Sequence, residues 1–306
     1  MADVSCIDLE TGKEVGADGL PSKTVLCLGF FDGIHLAHEK LFEETSRLAQ
    51  KALCPPGVWF FRTAPFKRTA YLTDFEEKLE SFRDHGLKYA FYSDFDTLKD
   101  YSPSSFIERI LKVSCRCAGV VCGFNFTFGK DAAGSPTMLK EAFQFCETVP
   151  EQTLEDGRIV SSSSVRDALS EGDVKTAEKM LGRPYSLCGT VAHGNRYGAT
   201  LGFPTANIYP DLKRVCPRPG VYVTRVECGD KKYGAVTDVG FKPTVGSEKL
   251  VCESHLLDFT GDLYGRQIRV CFLERLRDEQ KFGDLSALKE QILIDKSQAE
   301  KYFHNK

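Results

Sequence analysis

Residues 24–38, TVLCLGFFDGIHLAH, decide how the first half of the chain is read. TVLCLGFF is an apolar run of the length of one buried strand, DGIHLAH turns, and EKLFEETSRLAQKAL (39–53) repeats apolar residues at helical spacing. Together they make one half of a βα unit. Gly29 and Gly33 flank the turn at the strand end, and His35 and His38 follow three residues apart at the expected helix N-terminus, where both imidazoles can face one point. Free backbone amides, the positive end of a helix and two imidazole donors suit charge developing on a phosphate during transfer, so the expected ligand is a nucleoside triphosphate. A histidine pair at this spacing is by itself more often a surface or helix-cap feature. The strand, glycine and aspartate around it favour the anion site, and two histidines alone make a poor zinc site.

Outward from this stretch, VWFF (58–61), KYAFY (88–92) and AGVVCGF (118–124) read as further strands, with helical patterns at FEEKLESFRDHG (75–86) and PSSFIERILKV (103–113). That alternation predicts an α/β fold with a parallel sheet flanked by helices. SSSSVRDALSEGDVKTAEKMLGRP (161–184) reads as two short helices, each closed by a glycine, Gly172 and Gly182. Beyond it come strands without intervening helices: SLCGTVA (186–192), ANIY (206–209), GVYVTRVEC (220–228), KYGAVTDVG (232–240), LVCESHLLDF (250–259) and QIRVCFLERL (267–276). Their spacing predicts a small closed β-barrel, with an amphipathic helix over 284–303 packed across it. The 306 residues suffice for two compact domains, expected at 1–182 and 183–306.

With 42% hydrophobic and 27% charged residues and a formal net charge of −3, the chain reads as globular and carries no basic footprint for nucleic acid, which points to small-molecule partners. The first ten residues, MADVSCIDLE, hold acids where a secretory signal is basic, and no run approaches the length of a membrane span, so a soluble, cytoplasmic protein is expected. The twelve cysteines lie scattered, mostly in apolar runs; Cys115, Cys117 and Cys122 lack paired C-x-x-C spacing, and buried reduced thiols are expected.

Three further motifs carry oxygen or cationic groups suited to phosphate chemistry. GFNFTFG (123–129) sets Asn125 between aromatics after a strand, and SSSSVR (161–166) puts Ser163 and Arg166 one helical turn apart, where Arg166 can reach the same anion; a glycine-bounded turn and a serine N-cap are the plainer readings. HGNRYGATLGFPTANI (193–208) carries Gly194, Gly198 and Gly202 in a loop whose backbone can approach phosphates, then Thr205 and Asn207, whose oxygens suit Mg²⁺. It is not a Walker P-loop. In LVCESHLLDF, Glu253 shares a strand face with Val251, His255, Leu257 and Phe259, where a carboxylate is costly unless paired or used; a structural glutamate is the alternative.

In this order GFFDGIHLAH, GFNFTFG, SSSSVR and LGRPY (181–185), followed by PTAN (204–207), Glu253 with His255, and LRDEQKF (276–282), resemble the bacterial bifunctional riboflavin kinase/FAD synthetases. The resemblance implies an α/β Rossmann-like nucleotidyltransferase domain followed by a small all-β riboflavin kinase barrel with a C-terminal helix. It implies phosphorylation of riboflavin to FMN and adenylylation of FMN to FAD with release of pyrophosphate; the partners would be riboflavin, FMN, FAD, ATP, ADP and pyrophosphate, with Mg²⁺ as cofactor. By the same resemblance His35 and His38 contact ATP phosphates, Gly29, Phe31, Asp32, Gly33 and Asn125 help arrange nucleotide and flavin, and Ser163 and Arg166 contact phosphate. Gly194, Gly198, Gly202, Thr205, Asn207 and Arg277 would serve the kinase, with Thr205 and Asn207 holding Mg²⁺ and Glu253 acting as general base on the ribityl 5′-hydroxyl. The chain departs from the family pattern at Ala37, where glycine is usual, at Thr63 and Ala64 of RTAP (62–65), where Pro-x-Pro is usual, and at Ala199, where a basic residue is frequent. A riboflavin kinase with weak or lost adenylyltransferase activity and a non-catalytic flavin-binding regulator are the alternative readings.

Overall fold

The computed structural model describes residues 4–12, 14–15, 19–62, 70–192, 203–244 and 247–305, with backbone alone at 14–15, 242–244 and 247–249. The chain forms two compact units, Met1–Ser162 and Ser163–Lys306.

In the first unit every residue of β3 (Thr24–Leu28) is buried, as a parallel strand covered on both faces requires. Around it lie β1 (Ser5–Asp8), β2 (Glu14–Val15), β4 (Pro56–Phe61), β5 (Tyr89–Ser93), β6 (Cys117–Gly123) and β7 (Phe145–Val149), in the order β2-β1-β5-β4-β3-β6-β7. All neighbours are parallel except the β1–β2 pair. Leu26 and Leu28 point into one layer with Trp59, Phe91 and the Phe106, Ile107, Ile110 and Leu111 side chains of α3 (Phe106–Ser114). Val25 and Cys27 point into the other, with Leu41, Phe42 and Leu48 of α1 (Leu36–Ala52) and Phe82 of α2 (Phe75–Asp84). A further helix, α4 (Pro136–Ala142), precedes β7.

Several elements differ from the sequence expectation. The strand stops at Leu28, so Gly29, Phe30 and Phe31 belong to the turn, and α1 starts at Leu36 rather than 39. The helical pattern over 103–113 is a single turn, Pro103–Ser105, running into α3, a wider helix with i→i+5 bonds. β1, β2 and β7 carry no apolar run of their own; SCID and FCETV become strands by pairing with β5 and β6.

β4 and β5 lie to one side of β3 and β6 and β7 to the other, so the chain reverses direction across the sheet between β3 and β6. The loops leaving two such strand ends diverge and open a crevice. The turn at the end of β3 is strained: Phe31, Gly33 and Ile34 have φ of 53°, 90° and 44°, and a left-handed conformation costs a non-glycine residue about 1–2 kcal/mol. Packing and hydrogen bonds hold it there. Phe31 and Ile34 are wholly buried, the Phe31 ring meets Phe42 and Phe82, and a Cβ on Gly29 would come within 2.8 Å of that ring. Asp32 Oδ1 accepts from the amides of Leu72 (2.8 Å) and Thr73 (3.1 Å), Gly33 N–H donates to Thr73 Oγ1 (3.0 Å), and Ser162 Oγ donates to the Asp32 carbonyl (2.7 Å).

The second unit opens with α5 (Ser162–Glu171) and α6 (Val174–Leu181), closed by left-handed Gly172 and Gly182 as expected. β8 (Ser186–Thr190), β9 (Ala206–Ile208), β10 (Gly220–Cys228), β11 (Lys231–Thr244), β12 (Ser247–Leu256) and β13 (Gln267–Arg277) follow as an antiparallel sheet in the order β8-β13-β10-β11-β12-β9. A bridge from Ala192 to Asn207 nearly closes it into a barrel, and Gly189 lets β8 approach β9: a Cβ there would sit 2.9 Å from Ile208 Cβ. The Thr224, Thr237 and Ser254 hydroxyls, all fully buried, form a chain across β10, β11 and β12 at 2.6 and 2.8 Å, so that each finds a partner.

The C-terminal helix α7 (Leu285–His304) begins at the Asp284 cap and lays Ala299, Tyr302 and Phe303 on Val223, Val236 and Leu257. Its polar anchor is Asp295, which takes three bonds of 2.7–3.1 Å from the Arg277 guanidinium and is itself only 3% exposed. All twelve cysteines are free; burial pushes the Cys117 and Cys122 thiols up to about 12 and Cys115 well above its ordinary value. No helix among the described residues is long and apolar enough to cross a membrane.

Breaking the Arg277–Asp295 pair tests how the C-terminal helix is held. Asp295→Ala leaves a guanidinium largely buried without its counter-charge and should cost about 3 kcal/mol, measured by urea unfolding followed by far-ultraviolet circular dichroism. Combining it with Arg277→Met should recover most of that loss. A double variant no more stable than Asp295→Ala would contradict the account.

Candidate functional sites

In the first unit, His35 is the N-cap of α1 and only 5% exposed, with its carbonyl already accepting from the amides of His38 (2.7 Å) and Glu39 (3.1 Å). His38 lies on the first helical turn. The two rings stack with centroids 3.7 Å apart and 15° between planes, and the Phe31 ring meets His38 edge-to-face with centroids 5.1 Å apart. The pair therefore acts as one surface beside the helix N-terminus, as the spacing predicted.

Asn125 is exposed in the turn after β6, and Cys122 of β6 is in register with Leu28 of β3. The loops bearing the histidines and Asn125 thus leave adjacent strand ends at the point where strand order reverses. Phe31, Asp32 and Gly33 do other work at this edge: Phe31 fills the core, the Asp32 carboxylate holds the 72–73 backbone, and the Gly33 amide is taken by Thr73. Gly29 supplies space for the Phe31 ring. Thr73 was not singled out from sequence; its polar signal, a threonine just before an aspartate cap, is the ordinary mark of a helix start.

Ser163 and Arg166 lie on the first turns of α5, in the second unit, the serine exposed and the arginine half-buried. Thr63, Ala64, Pro65, Gly194, Gly198, Ala199 and Gly202 fall outside the described residues.

The second constellation is set by strand register. Glu253 of β12 stands directly opposite Asn207 of β9 on one side and Asp238 of β11 on the other, so the three side chains share a face. Asn207 is 4% exposed; its Nδ2 donates to the carbonyl and Oγ1 of Thr205 (3.2 and 3.3 Å), which turns Oδ1 the other way. That Oδ1 is buried with no hydrogen-bond partner among the described residues. A buried oxygen of this kind next to a threonine hydroxyl and across from a carboxylate is the hard-oxygen donor set that Mg²⁺ takes.

His255, two residues on, places Nδ1 3.1 Å from the Pro204 carbonyl, and Phe203 meets its ring edge-on at 5.4 Å. Burial holds its pKa below the ordinary histidine value; the Pro204 bond opposes this and Lys296 adds to it. A cavity of about 320 Å³ opens beside Thr205, lined also by Val191, Pro204, Leu256, Phe259 and Tyr264. Arg277, expected to serve ligand binding, has its guanidinium on Asp295 and the Asp278 carbonyl. Asp238 was missed in the sequence because its proximity to Glu253 depends on the β11–β12 register, which no local pattern encodes.

Residues 18–164 match the family model for FAD synthetase, and residues 181–303 match that for riboflavin kinase. The chain is 33% identical over 298 residues to the bifunctional riboflavin kinase/FMN adenylyltransferase of Bacillus subtilis, covering 93% of this chain and 94% of the relative. It is 35% identical over 290 residues to the protein of the same description from Escherichia coli K12, covering 91% and 92%. A solved structure from Streptococcus pneumoniae, named as a macrolide-efflux protein, superposes with a TM-score of 0.86 at 31% identity over 96% of this chain and 98% of that one. Motif order, both assembled constellations and end-to-end similarity agree: the chain belongs to the bifunctional riboflavin kinase/FMN adenylyltransferase family.

Proposed function

We propose that the chain phosphorylates riboflavin to FMN in its barrel and adenylylates FMN to FAD through its α/β unit, using ATP in both reactions. The observation that carries the reading is the register that sets Glu253 opposite Asn207, with Asn207 bonded to Thr205. In the first reaction Glu253 takes the proton of the ribityl 5′-hydroxyl as that oxygen attacks the γ-phosphorus of ATP and ADP leaves. Thr205 Oγ1 and Asn207 Oδ1 are the oxygens that would hold Mg²⁺, which when bound neutralises phosphate charge. The Thr205 contact fixes the Asn207 amide so that its oxygen, not its nitrogen, is presented.

In the second reaction an FMN phosphate oxygen attacks the α-phosphorus of ATP and pyrophosphate leaves. The stacked His35 and His38 and the amide end of α1 stabilise the charge that builds on the phosphoryl oxygens, with Asn125 at the neighbouring strand end. The resemblance of SSSSVR to the family motif is what assigns phosphate contacts to Ser163 and Arg166. We keep the functional boundary near Gly182: the riboflavin kinase match begins at residue 181, and α5 carries the Ser163 and Arg166 pair assigned to adenylylation. The substrates and products are soluble small molecules, and the reading is of a cytoplasmic enzyme.

Two substitutions separate the reactions. Glu253→Gln should lower FMN formation by at least about 10²-fold while FAD formation from supplied FMN stays near wild type, because an amide cannot accept the substrate proton. A loss of less than about tenfold would remove Glu253 as general base. His38→Ala should do the converse, reducing FAD formation by about 10²-fold with FMN formation intact. Equal losses in both reactions would mean that the variant damages the chain rather than one site.

A further inference from the structure

We propose that Lys78 is a positioning residue for adenylylation: by holding the Phe30 carbonyl, it keeps the strained turn in the conformation that delivers His35 and His38 to the start of α1. The proposal rests on the adenylyltransferase reading above.

Lysine is almost never fully buried, yet Lys78 is 3% exposed. It lies on α2 among Phe75, Leu79 and Phe82, at the i+3 place of an i, i+3, i+4, i+7 apolar stripe where a leucine or methionine would pack without a charge to desolvate. The helix does not need it as a cap. Asp74 and Glu77 already form a reciprocal capping box at the N-terminus of α2.

What Lys78 reaches is the turn. Nζ donates to the Phe30 carbonyl at 3.0 Å and lies 4.3 Å from the centre of the Phe30 ring and 5.7 Å from that of Phe60. The segment from Leu72 to Lys78 thereby grips three successive parts of the turn: the Phe30 carbonyl, the Asp32 carboxylate and the Gly33 amide. Phe31, left-handed, sits between the first two of these points, and Ile34, also left-handed, follows the third and precedes His35. Strained residues persist only where their surroundings over-determine them, and the Lys78 bond fixes the carbonyl immediately before the first of them.

The charge state of Lys78 gives the proposal a signature. Burial pushes its pKa down from 10.5 to about 8, against the electrostatic attraction of two carboxylates, Asp32 in the turn and Asp74 at the cap of its own helix; the Phe30 and Phe60 rings lie beside its Nζ. The folded state therefore binds this proton less tightly than the unfolded chain. A charged Lys78 weakens folding below about pH 8, and that penalty fades as the pH rises from about 8 toward 10.5. Above about pH 8 the neutral amine keeps only an uncharged, weaker bond to the Phe30 carbonyl and loses its cation contact with the Phe30 ring, so the grip on the turn relaxes.

The test is the pH profile of FAD formation from FMN and MgATP for wild type, Lys78→Met and Lys78→Arg, with FMN formation from riboflavin as the control in the other unit. Wild type should show an alkaline limb near pH 8. Lys78→Met should lose about tenfold in kcat with KM for ATP and FMN changed by less than about twofold, and should lack that limb. Lys78→Arg, which keeps its charge throughout, should retain more activity and move the limb upward. Trp59, the single tryptophan and a buried residue of the first unit, reports folding, and Lys78→Met should melt at or above the wild-type temperature. A Lys78→Met enzyme with wild-type kcat, or with the same alkaline limb, overturns the proposal. If Lys78→Met does not fold, the wild-type profile decides, since an enzyme without a limb near pH 8 contradicts it. Wild type that makes no FAD from FMN overturns the adenylyltransferase reading itself, and the inference with it.

Discussion

The left-handed backbone at Phe31 and Ile34 is the constraint on which the first site depends. Both residues are apolar and fully buried, so the turn that brings the chain out of β3 is also part of the core. Burying a large side chain contributes about 1.5–3 kcal/mol, enough to offset the conformational strain of each. Hydrogen bonds then fix direction: Asp32 ties the turn to the 72–73 backbone, and Ser162 ties the Asp32 carbonyl. His35 emerges as the N-cap of α1 with His38 stacked on it. The aspartate next to the histidines is thus a fastening for their backbone, and in the proposed function the histidines carry the chemistry.

A different constraint builds the second site. In the barrel, position is set by strand register rather than by a strained turn, and one pairing, Glu253 against Asn207, brings the proposed base and the proposed oxygen ligand from segments 46 residues apart onto one face. A slip of one residue of β12 against its neighbours would turn Glu253 to the opposite face of the sheet, the one that carries the buried hydroxyls of Thr224 and Thr237. Barrel closure at Ala192 and Asn207 and the tight approach at Gly189 pin β9 in place. Arg277 and Asp295 fasten α7, adding an ion pair to the apolar packing of that helix.

These two constraints explain what could be read from the chain in advance. TVLCL was legible because all five residues are buried, and an uninterrupted apolar run marks a strand covered on both faces. The histidine pair was legible because three-residue spacing at a helix start fixes its geometry locally. SCID and FCETV were not, because their strand conformation comes from neighbours far away in sequence. The residues proposed for the kinase were visible as types, yet the meeting of Asn207, Glu253 and Asp238 required the sheet order. Lys78 did leave a local trace, a lysine on the apolar stripe of α2, which periodicity alone reads as an imperfect helix.

In the proposed function one chain carries both steps, with FMN the product of one site and the substrate of the other. This is tested most directly by giving the wild-type protein riboflavin and MgATP and separating the flavins by chromatography over time, with ADP and pyrophosphate measured in the same samples. FMN should rise first and then fall as FAD accumulates, with pyrophosphate equal to FAD and ADP equal to the sum of FMN and FAD in every sample. Riboflavin converted fully to FMN with no FAD and no pyrophosphate, or riboflavin left unconsumed, would contradict it.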